Sequence, residues 1–514
     1  MKPLFRKILV ANRGEIAVRI LRGCREMGIA TVAVCSEAER TALHAMLADE
    51  VVTIGPPPPL ESYLRADRIL AAAAETGAEA IHPGYGFLAE NQQFAAACQE
   101  AGLVFIGPSA AVIGKMGEKT TARDIMQDAG VPVVPGALLP EPADDGEMDA
   151  ARVEAAAAKV GYPLLVKAVF GGGGKGMRLV GGPEQIVAAA AAAAREARKA
   201  FGNGTVYLER YLERPRHIEF QIFGDSHGHA VHLGERECSI QRRHQKIIEE
   251  TPSPVVDAKL RARMGAAAVA AAQAVGYVNA GTVEFLLAQD GSFYFLEMNT
   301  RLQVEHPVTE MVSGQDLLRA QIVVAAGQPL PWRQEEIIAR GHAIECRIYA
   351  EDPAHDFRPS LGKILLLREP AGPGVRVDSG IREGDEVTMH YDPMIAKLVC
   401  HGPTREAAIA RSLVALRGYA VLGITTNVPY LMDILSHPEF AAGRTHTGFL
   451  ADHLTGWRGQ DNETENVALI AAGLHDLLED GGSRPFAGPA HEAGVPPGNP
   501  WHQLGRFRIR GLES

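Results

Sequence analysis

The sequence predicts a multidomain α/β protein: a parallel sheet wrapped by helices, then a small α/β module, then a larger mixed unit rich in antiparallel strands. Three observations predict it. The chain has 514 residues, more than one compact core usually serves. Its first hundred residues alternate short apolar runs with helical spacing, the pattern of a parallel sheet. Beyond about Glu213 the runs alternate apolar and polar residues instead, as half-buried antiparallel strands do.

Lys7–Ala11, Thr31–Cys35, Ala80–His82 and Val104–Ile106 read as the parallel strands, with Ile16–Met27 and Arg65–Glu75 as helices between them. A linking helix is expected over Met116–Ala129, ended by Gly130 and Pro132. The small module follows an acidic loop, Pro140–Asp149. It reads as helix Ala151–Val160, strand Leu164–Ala168, a glycine run, strand Met177–Val180, helix Pro183–Phe201 and strand Val206–Glu209. Large apolar residues are scarce on its helices, which suits a lid better than a main core. In the third unit His217–Phe223, Ala230–Glu237, Ala280–Leu287, Phe293–Asn299, Gly341–Ala350, Gly362–Leu367, Val375–Asp378 and Ile395–His401 are strand-like, and Arg405–Leu416 is a helix. The expected domains are 1–134, 135–212 and 213–457, with a linker and tail over 458–514.

Hydrophobic residues at 46% and charged residues at 22% exclude a disordered or collagen-like chain. Lys and Arg total 51 against 62 Asp and Glu, a formal charge of −11. That surface repels a phosphate backbone, so no general nucleic-acid binder is expected, although a local basic pocket for a small anion remains open. No apolar run approaches the roughly 20 residues that cross a bilayer. Ile8–Ala11 is too short for a signal peptide. A cytoplasmic protein without membrane association is the expectation. The six cysteines form no Cys-x-x-Cys pair and read as buried, reduced thiols.

The most informative chemistry lies at Asp290-Gly291, a two-residue hairpin signal between apolar runs. In that register Gln289 faces Ser292, and Glu284 faces Glu297. Opposed carboxylates about 5 Å apart at Cβ repel unless a cation lies between them. Asn299 falls on the same face. These are hard oxygen donors suited to Mg²⁺. The alternative is two solvated glutamates on an exposed hairpin, but the flanks Phe285, Leu286, Leu287, Phe293, Tyr294, Phe295 and Leu296 argue for burial.

Gly171-Gly172-Gly173-Gly174-Lys175-Gly176-Met177 contains G-x-G-x-x-G, yet it lies between two strands, which is not the dinucleotide-binding context. Nor is it a P-loop, because Gly176 follows Lys175. Such a loop can fold over nucleotide phosphates with its N–H groups close to the oxygens; the alternative is a mobile hairpin. Lys167 on the entering strand, and Lys119, are candidate phosphate contacts. Gln241-Arg242-Arg243-His244-Gln245-Lys246 is either an anion site or a solvated charged stretch. Arg301 and Glu305 follow the metal hairpin directly, and a carboxylate beside an arginine and a metal can deprotonate a small bound acid. Glu345 and Arg347 share a strand face, as part of the site or as a surface ion pair.

At these residues the chain resembles the biotin carboxylases of the ATP-grasp superfamily. The resemblance runs from about Lys7 to Leu454. It is carried by Ala-Asn-Arg-Gly-Glu-Ile-Ala at 11–17, His-Pro-Gly-Tyr-Gly-Phe-Leu-Ala-Glu-Asn at 82–91, the glycine run at 171–177, Glu-Arg-Glu-Cys-Ser-Ile-Gln-Arg-Arg-His-Gln-Lys at 235–246, and Glu-Met-Asn-Thr-Arg-Leu-Gln-Val-Glu-His at 297–306. It implies an ATP-grasp fold with a Rossmann-like N-terminal domain, a mobile lid and a mixed α+β C-terminal domain. It implies ATP, Mg²⁺ (or Mn²⁺) and bicarbonate, with CO₂ passed through carboxyphosphate to biotin. Glu284, Glu297 and Asn299 match the metal ligands. Lys119, Lys167, Gly172, Gly173, Gly174, Met177, Glu209, Leu212, His217, Gln241 and His244 match nucleotide contacts. Lys246, Arg301, Gln303 and Val304 match the bicarbonate site, Glu305 the general base, Arg347 the residue that stabilises the biotin enolate, and Tyr85 a biotin-side contact.

The implied partners are a biotin carboxyl carrier and a carboxyltransferase, in a homodimer or larger hetero-oligomer; Arg19, Arg22 and Glu26 match the family's dimer interface. The biotin-bearing Met-Lys-Met is absent, which places biotin on another chain or a missing C-terminal domain. Trp501–Arg508 resembles the start of the segment that follows this domain in acyl-CoA carboxylase α subunits, so an acetyl/propionyl-type acyl-CoA carboxylase component is expected. Departures are Val169 and Phe170 before the glycines, and Arg210 where lysine often stands. A carboxyphosphate-forming ligase with a non-biotin acceptor, or a non-catalytic scaffold, are the alternatives. A scaffold would have lost residues such as Glu284, Glu305 or Arg347, all of which are present.

Overall fold

The computed structural model describes residues 4–139, 148–168, 178–201, 204–243, 245–459 and 471. The expectations for the acidic loop Pro140–Asp149, apart from its last two residues, for Val169–Met177, His244 and the tail beyond 459 lie outside the described residues.

Five strands form the first sheet, in the order Glu50–Thr53, Ala30–Cys35, Lys7–Val10, Ala80–His82, Val104–Phe105. All their pairings are parallel. The order reverses between Lys7–Val10 and Ala80–His82, and a doubly wound sheet places its ligand crevice beyond the strand ends at such a point. Two of the sequence motifs meet there. Asn12 Nδ2 donates to the carbonyls of Pro83 (2.7 Å) and Tyr85 (2.8 Å). Gly84 has φ +63°, and a Cβ there would lie 3.0 Å from Asn12 Nδ2, so the close approach favours glycine.

The small module is a four-stranded antiparallel sheet, Gly136–Leu139, Val206–Arg210, Leu164–Ala168 and Arg178–Val180. Helices Ala150–Val160 and Ile186–Phe201 pack on one face over Leu164, Val166, Val206 and Leu208. Leu164–Ala168 and Arg178–Val180 pair with each other, as a strand–loop–strand reading requires.

The third unit is built on one eight-stranded antiparallel sheet: Phe293–Asn299, Asn279–Leu287, Arg216–Gly224, Ala230–Arg242, Gln245–Thr251, His342–Tyr349, Met394–Gly402, Val375–Ser379. One face carries Ile218, Phe220, Ile222, Val283 and Phe285 against helix Ala258–Ala274. At the far end Ile344, Cys346, Ile348 and Leu398 pack on helices Arg405–Gly418 and Val428–Ser436. The N-terminal unit is fused to this sheet, since Ile8, Ile16 and Ile20 share an apolar cluster with Phe223, Leu233, Ala280 and Leu317.

Three local expectations are corrected. Met116–Ala129 is not one helix: Ala110–Gly117 and Lys119–Asp128 are separated by Glu118, whose extended backbone (φ −93°, ψ 107°) breaks the turn. Gly362–Leu367 is not one strand but two short ones. Gly362–Lys363 pairs with Glu386–Val387, and Leu366–Arg368 with Ala420–Leu422. The turn of the metal hairpin is also longer than expected. Ala288 N–H donates to the Ser292 carbonyl at 2.8 Å, which leaves Gln289, Asp290 and Gly291 in a three-residue loop. Gly291 takes the left-handed position (φ +78°).

Candidate active site

Near the hairpin turn Phe285 pairs with Phe295, one residue out of the expected register. A bulge at Leu296 then restores it, and Glu284 pairs directly with Glu297. The bulge decides the site. Without it Glu297 would share the face of Phe295, which is the apolar core. With it, Glu297, Glu284 and Glu219 stand side by side on three adjacent strands, with Arg236 next in the row.

A second bulge sets the cation that these carboxylates need. Ile240 pairs with Ile248 and Gln241 with Lys246, so Ile247 is an extra residue. Ile247 and Ile248 both enter the apolar core. Lys246 is turned to the opposite face, where its ammonium donates to Glu219 (2.5 Å), Glu284 (2.9 Å) and Glu305 (2.6 Å). Glu305 Oε2 accepts from Arg347 at 2.9 Å, and Arg347 Nε donates to Glu249 at 2.6 Å. One connected group of charges thus runs from the hairpin to Arg347, nearly all of it buried.

Their electrostatics follow from this pairing. Burial pushes the Glu305 carboxyl up, but Lys246, Arg347 and Arg236 outweigh it and hold the carboxyl well below the ordinary value. Glu284 is likewise held low, against its burial, by Lys246 and His217, whose Nε2 lies 2.9 Å from it. Glu297 is raised, by desolvation and by Glu284 opposite. The Glu297 side chain, exposed at the end of the row, makes no hydrogen bond or ion pair among the described residues. A carboxylate facing a second carboxylate without a fixed cation fits a divalent ion. Asn299 adds Oδ1, now accepting from Arg301 at 2.8 Å. The donor set therefore fits magnesium: Glu284, Glu297 and Asn299 would hold it, and the ion would supply charge neutralisation for phosphate oxygens.

The remaining expected residues fall as follows. Arg301 is clamped between Asn299 and Glu90, whose Oε2 lies 2.8 Å from Nε. Gln303 donates to Glu284 (2.8 Å), and the Val304 carbonyl accepts from the fully buried Lys397 (2.7 Å). The Tyr85 ring lies 5.7 Å from the Lys397 ammonium. Gln241 is buried and His217 adjoins Glu284. On the lid, Lys167 pairs with Glu209. Both lie on the sheet face away from the helices, together with Tyr207 and the exposed Leu138 and Leu179. Exposed apolar surface beside charged groups suits a nucleobase. Leu212 is half-buried beyond the last lid strand, and Lys119 is exposed at a helix start, where its charge acts on Glu297. Gly172, Gly173, Gly174, Met177 and His244 lie outside the described residues.

Two alternatives that the sequence left open are resolved here. Glu345 and Arg347 are not a surface ion pair: Glu345 is fully buried, and Arg347 pairs with Glu249 and Glu305 instead. Of the basic stretch, Lys246 enters the site, whereas Arg242 stacks on Phe357 (4.0 Å) and Arg243 pairs with Asp356 on the surface. The sequence reading missed Glu219, Glu249, Arg236 and Glu90. A charge flanked by large apolar residues within a strand, as in Ile218-Glu219-Phe220 and Ile247-Ile248-Glu249, was the available signal.

Comparison with known proteins now decides the family. Residues 4–113 match the biotin carboxylase N-terminal domain, 118–333 the carbamoyl-phosphate synthase L chain ATP binding domain, and 345–452 the biotin carboxylase C-terminal domain. The biotin carboxylase of Nostoc sp. is 53% identical over 449 residues, 87% of this chain and 99% of that one. The chain belongs to the biotin carboxylase family. Methylcrotonoyl-CoA carboxylase subunit alpha, mitochondrial, of Dictyostelium discoideum is 48% identical over 510 residues, 99% of this chain and 71% of that protein. Among solved structures, the biotin carboxylase domain of a thermophilic 2-oxoglutarate carboxylase bound to bicarbonate superposes with a TM-score of 0.82 at 47% identity, over 87% of this chain and 98% of that one. The fold is that of an ATP-grasp enzyme. The reaction of the family is the ATP-dependent carboxylation of biotin, the first half-reaction of a biotin-dependent carboxylase. No helix among the described residues is long and apolar enough to cross a membrane.

Proposed function

We propose that this chain carboxylates biotin on a carrier protein, through carboxyphosphate formed from ATP and bicarbonate, with each residue in the role its position supports. The carrying observation is that Lys246 reaches Glu284 and Glu305 at once. The metal hairpin and the base therefore belong to one site. Arg301, Gln303 and the Val304 backbone orient bicarbonate beside Lys246. Glu305 takes the bicarbonate proton, leaving an oxyanion that attacks the γ-phosphorus of ATP as the bond to the β,γ-bridging oxygen breaks and ADP leaves. Lys119, Lys167 and the glycine run hold the phosphates, while Glu209, Leu212, His217, Gln241 and His244 hold the nucleoside and its ribose side. Carboxyphosphate then splits to CO₂ and phosphate, the phosphate takes the N1′ proton of biotin, and Arg347 stabilises the enolate that attacks CO₂, with Tyr85 beside the ureido ring. Closure of the lid over residues 135–212 would keep water from the labile intermediate.

The partners proposed are a biotin carboxyl carrier and a carboxyltransferase of acyl-CoA type, with domains 1–134, 135–212 and 213–457 as functional parts. A homodimer is proposed through the helix face bearing Arg19, Arg22 and Glu26, which lines a 260 Å³ concavity with Asp316 and Arg376. The six cysteines are all free and buried, which supports a reducing compartment such as the cytoplasm.

Purified protein with ATP, Mg²⁺, bicarbonate and free biotin should release ADP and form carboxybiotin; ADP release indifferent to biotin would favour another acceptor. The metal assignment is tested separately. Glu297→Gln should weaken the stabilisation that Mg-ADP gives over ADP alone in a thermal-shift measurement, and an unchanged magnesium increment would remove Glu297 as a ligand.

A further inference from the structure

Beside Arg347, whose Nη2 contacts both Glu249 and Glu305, lies a second pair of opposed carboxyl groups that the proposed reaction does not use. Glu249 on Gln245–Thr251 and Glu345 on His342–Tyr349 are directly paired across antiparallel strands. Both are fully buried. Directly paired residues share a face with Cβ atoms about 5 Å apart, and Arg347, two residues from Glu345, lies on that face too. Glu249 Oε1 takes both Arg347 Nε (2.6 Å) and an Arg347 Nη (2.5 Å). Its Oε2 and both Glu345 oxygens have no hydrogen-bond partner among the described residues. Two buried carboxylates so placed cannot both be ionised cheaply, and one arginine cannot neutralise both.

We infer that Glu249, backed by Glu345, is a positioning residue that holds the Arg347 guanidinium against Glu305 and aims it at the acceptor. Arg347 is planar and forked, so a hydrogen bond from Nε to Glu249 and one from Nη2 to Glu305 fix its swing as well as its charge. Glu345 supplies the neutral wall behind Glu249: a carboxylic acid there adds no second charge. The charges around the pair are Arg347 on the strand of Glu345, Lys246 on the strand of Glu249, Glu305 before the helix His306–Ser313, Lys397 on the next strand, and the thiols Cys238 and Cys346. Burial raises Glu249 to about 7, Arg347 and Lys246 opposing, and raises Glu345 well above the ordinary value. Glu249 therefore gains a proton as pH falls through about 7, and its grip on Arg347 weakens.

This inference rests on the role proposed for Arg347, so the experiment separates the two. Biotin carboxylation and nucleotide binding are measured from pH 6 to 9 (roughly the range around the Glu249 titration) for Glu249→Gln, Glu249→Asp, Glu345→Gln and Arg347→Lys. Glu249→Gln should lower kcat about tenfold to a hundredfold, leave KM for ATP unchanged and flatten the acid limb of the kcat profile. Glu345→Gln, a neutral replacement for a neutral acid, should stay within about twofold of the parent at every pH. Glu249→Asp keeps the charge but withdraws it, and should lower kcat while the acid limb persists. It serves as the reading if Glu249→Gln does not fold. Glu249 variants with parental kcat and acid limb would overturn the inference when Arg347→Lys is impaired. An unimpaired Arg347→Lys would overturn the assignment of Arg347 instead.

Discussion

Glu305→Gln is expected to reduce bicarbonate-dependent ADP release by about 10²–10⁴-fold, the usual worth of a positioned general base, while ATP binding persists. The charges around Glu305 make the expectation specific. Its carboxyl is held well below its ordinary value by Lys246 and Arg347, and so stabilised a carboxylate is a weak base. It becomes a stronger one only when those cations are drawn elsewhere, and an incoming bicarbonate is an anion that competes for them. Substrate binding would thus activate its own base. Glutamine keeps the shape but cannot take a proton, and it leaves Lys246 and Arg347 with one fewer negative partner. The same low value carries a sign for stability. A depressed carboxyl contributes stability that is full above the unfolded-state value, about 4.3, and is lost as pH falls through the folded-state value. Glu305→Gln should therefore show a shallower loss of stability on acidification. Nucleotide binding by equilibrium dialysis and ADP release by coupled assay decide the kinetic part. A variant that still turns over at the parental rate removes Glu305 as the base.

Much of this site was legible in the sequence, and the gaps have one physical cause. Strand alternation has period two, so it can place a carboxylate on a face, and the Glu284–Glu297 pair follows from it. The expected turn was nonetheless one residue too short, and the pair survives because the bulge at Leu296 cancels the error. A bulge leaves no mark in apolar–polar periodicity. For the same reason Lys246 could not be assigned a face: in unbroken alternation it would fall on the side of Ile248, and only the extra residue Ile247 turns it toward Glu305. Long-range pairing is the second limit. Glu219 and Glu249 look like stray charges in apolar strands until Arg236 and Arg347 arrive from other segments. In the parallel sheet and the lid every expected strand is present, but one edge strand of each, Glu50–Thr53 and Gly136–Leu139, was not read, since a short strand paired on one side only carries a weak apolar pattern.

Arg236 should be the most costly single substitution in the molecule. Its side chain is fully buried, and its donors reach five partners. Nε donates to Glu219 (2.5 Å), one Nη to Gln221 (2.8 Å) and Thr309 (3.0 Å), and the other to Thr282 (3.1 Å) and Gln303 (2.8 Å). These residues lie on two strands and on the helix and turn that carry Glu305. Arg236→Met fits the volume but leaves Glu219 buried with Lys246 as its sole cation, and strands the amide oxygens of Gln221 and Gln303. Removing one partner of a buried ion pair typically costs about 3–5 kcal/mol. The variant should unfold at distinctly lower denaturant, and any folded fraction should bind bicarbonate poorly, because Gln303 and Glu284 lose their alignment together. Arg236→Lys keeps the charge but offers three donors on a point-like ammonium in place of a planar fork, so it should fall between the two. Denaturation followed by tryptophan fluorescence, with circular dichroism on the same samples, measures the loss. A parental midpoint for Arg236→Met would mean that the row of charges along the sheet is held by its strands alone, and that the arginine merely occupies the space.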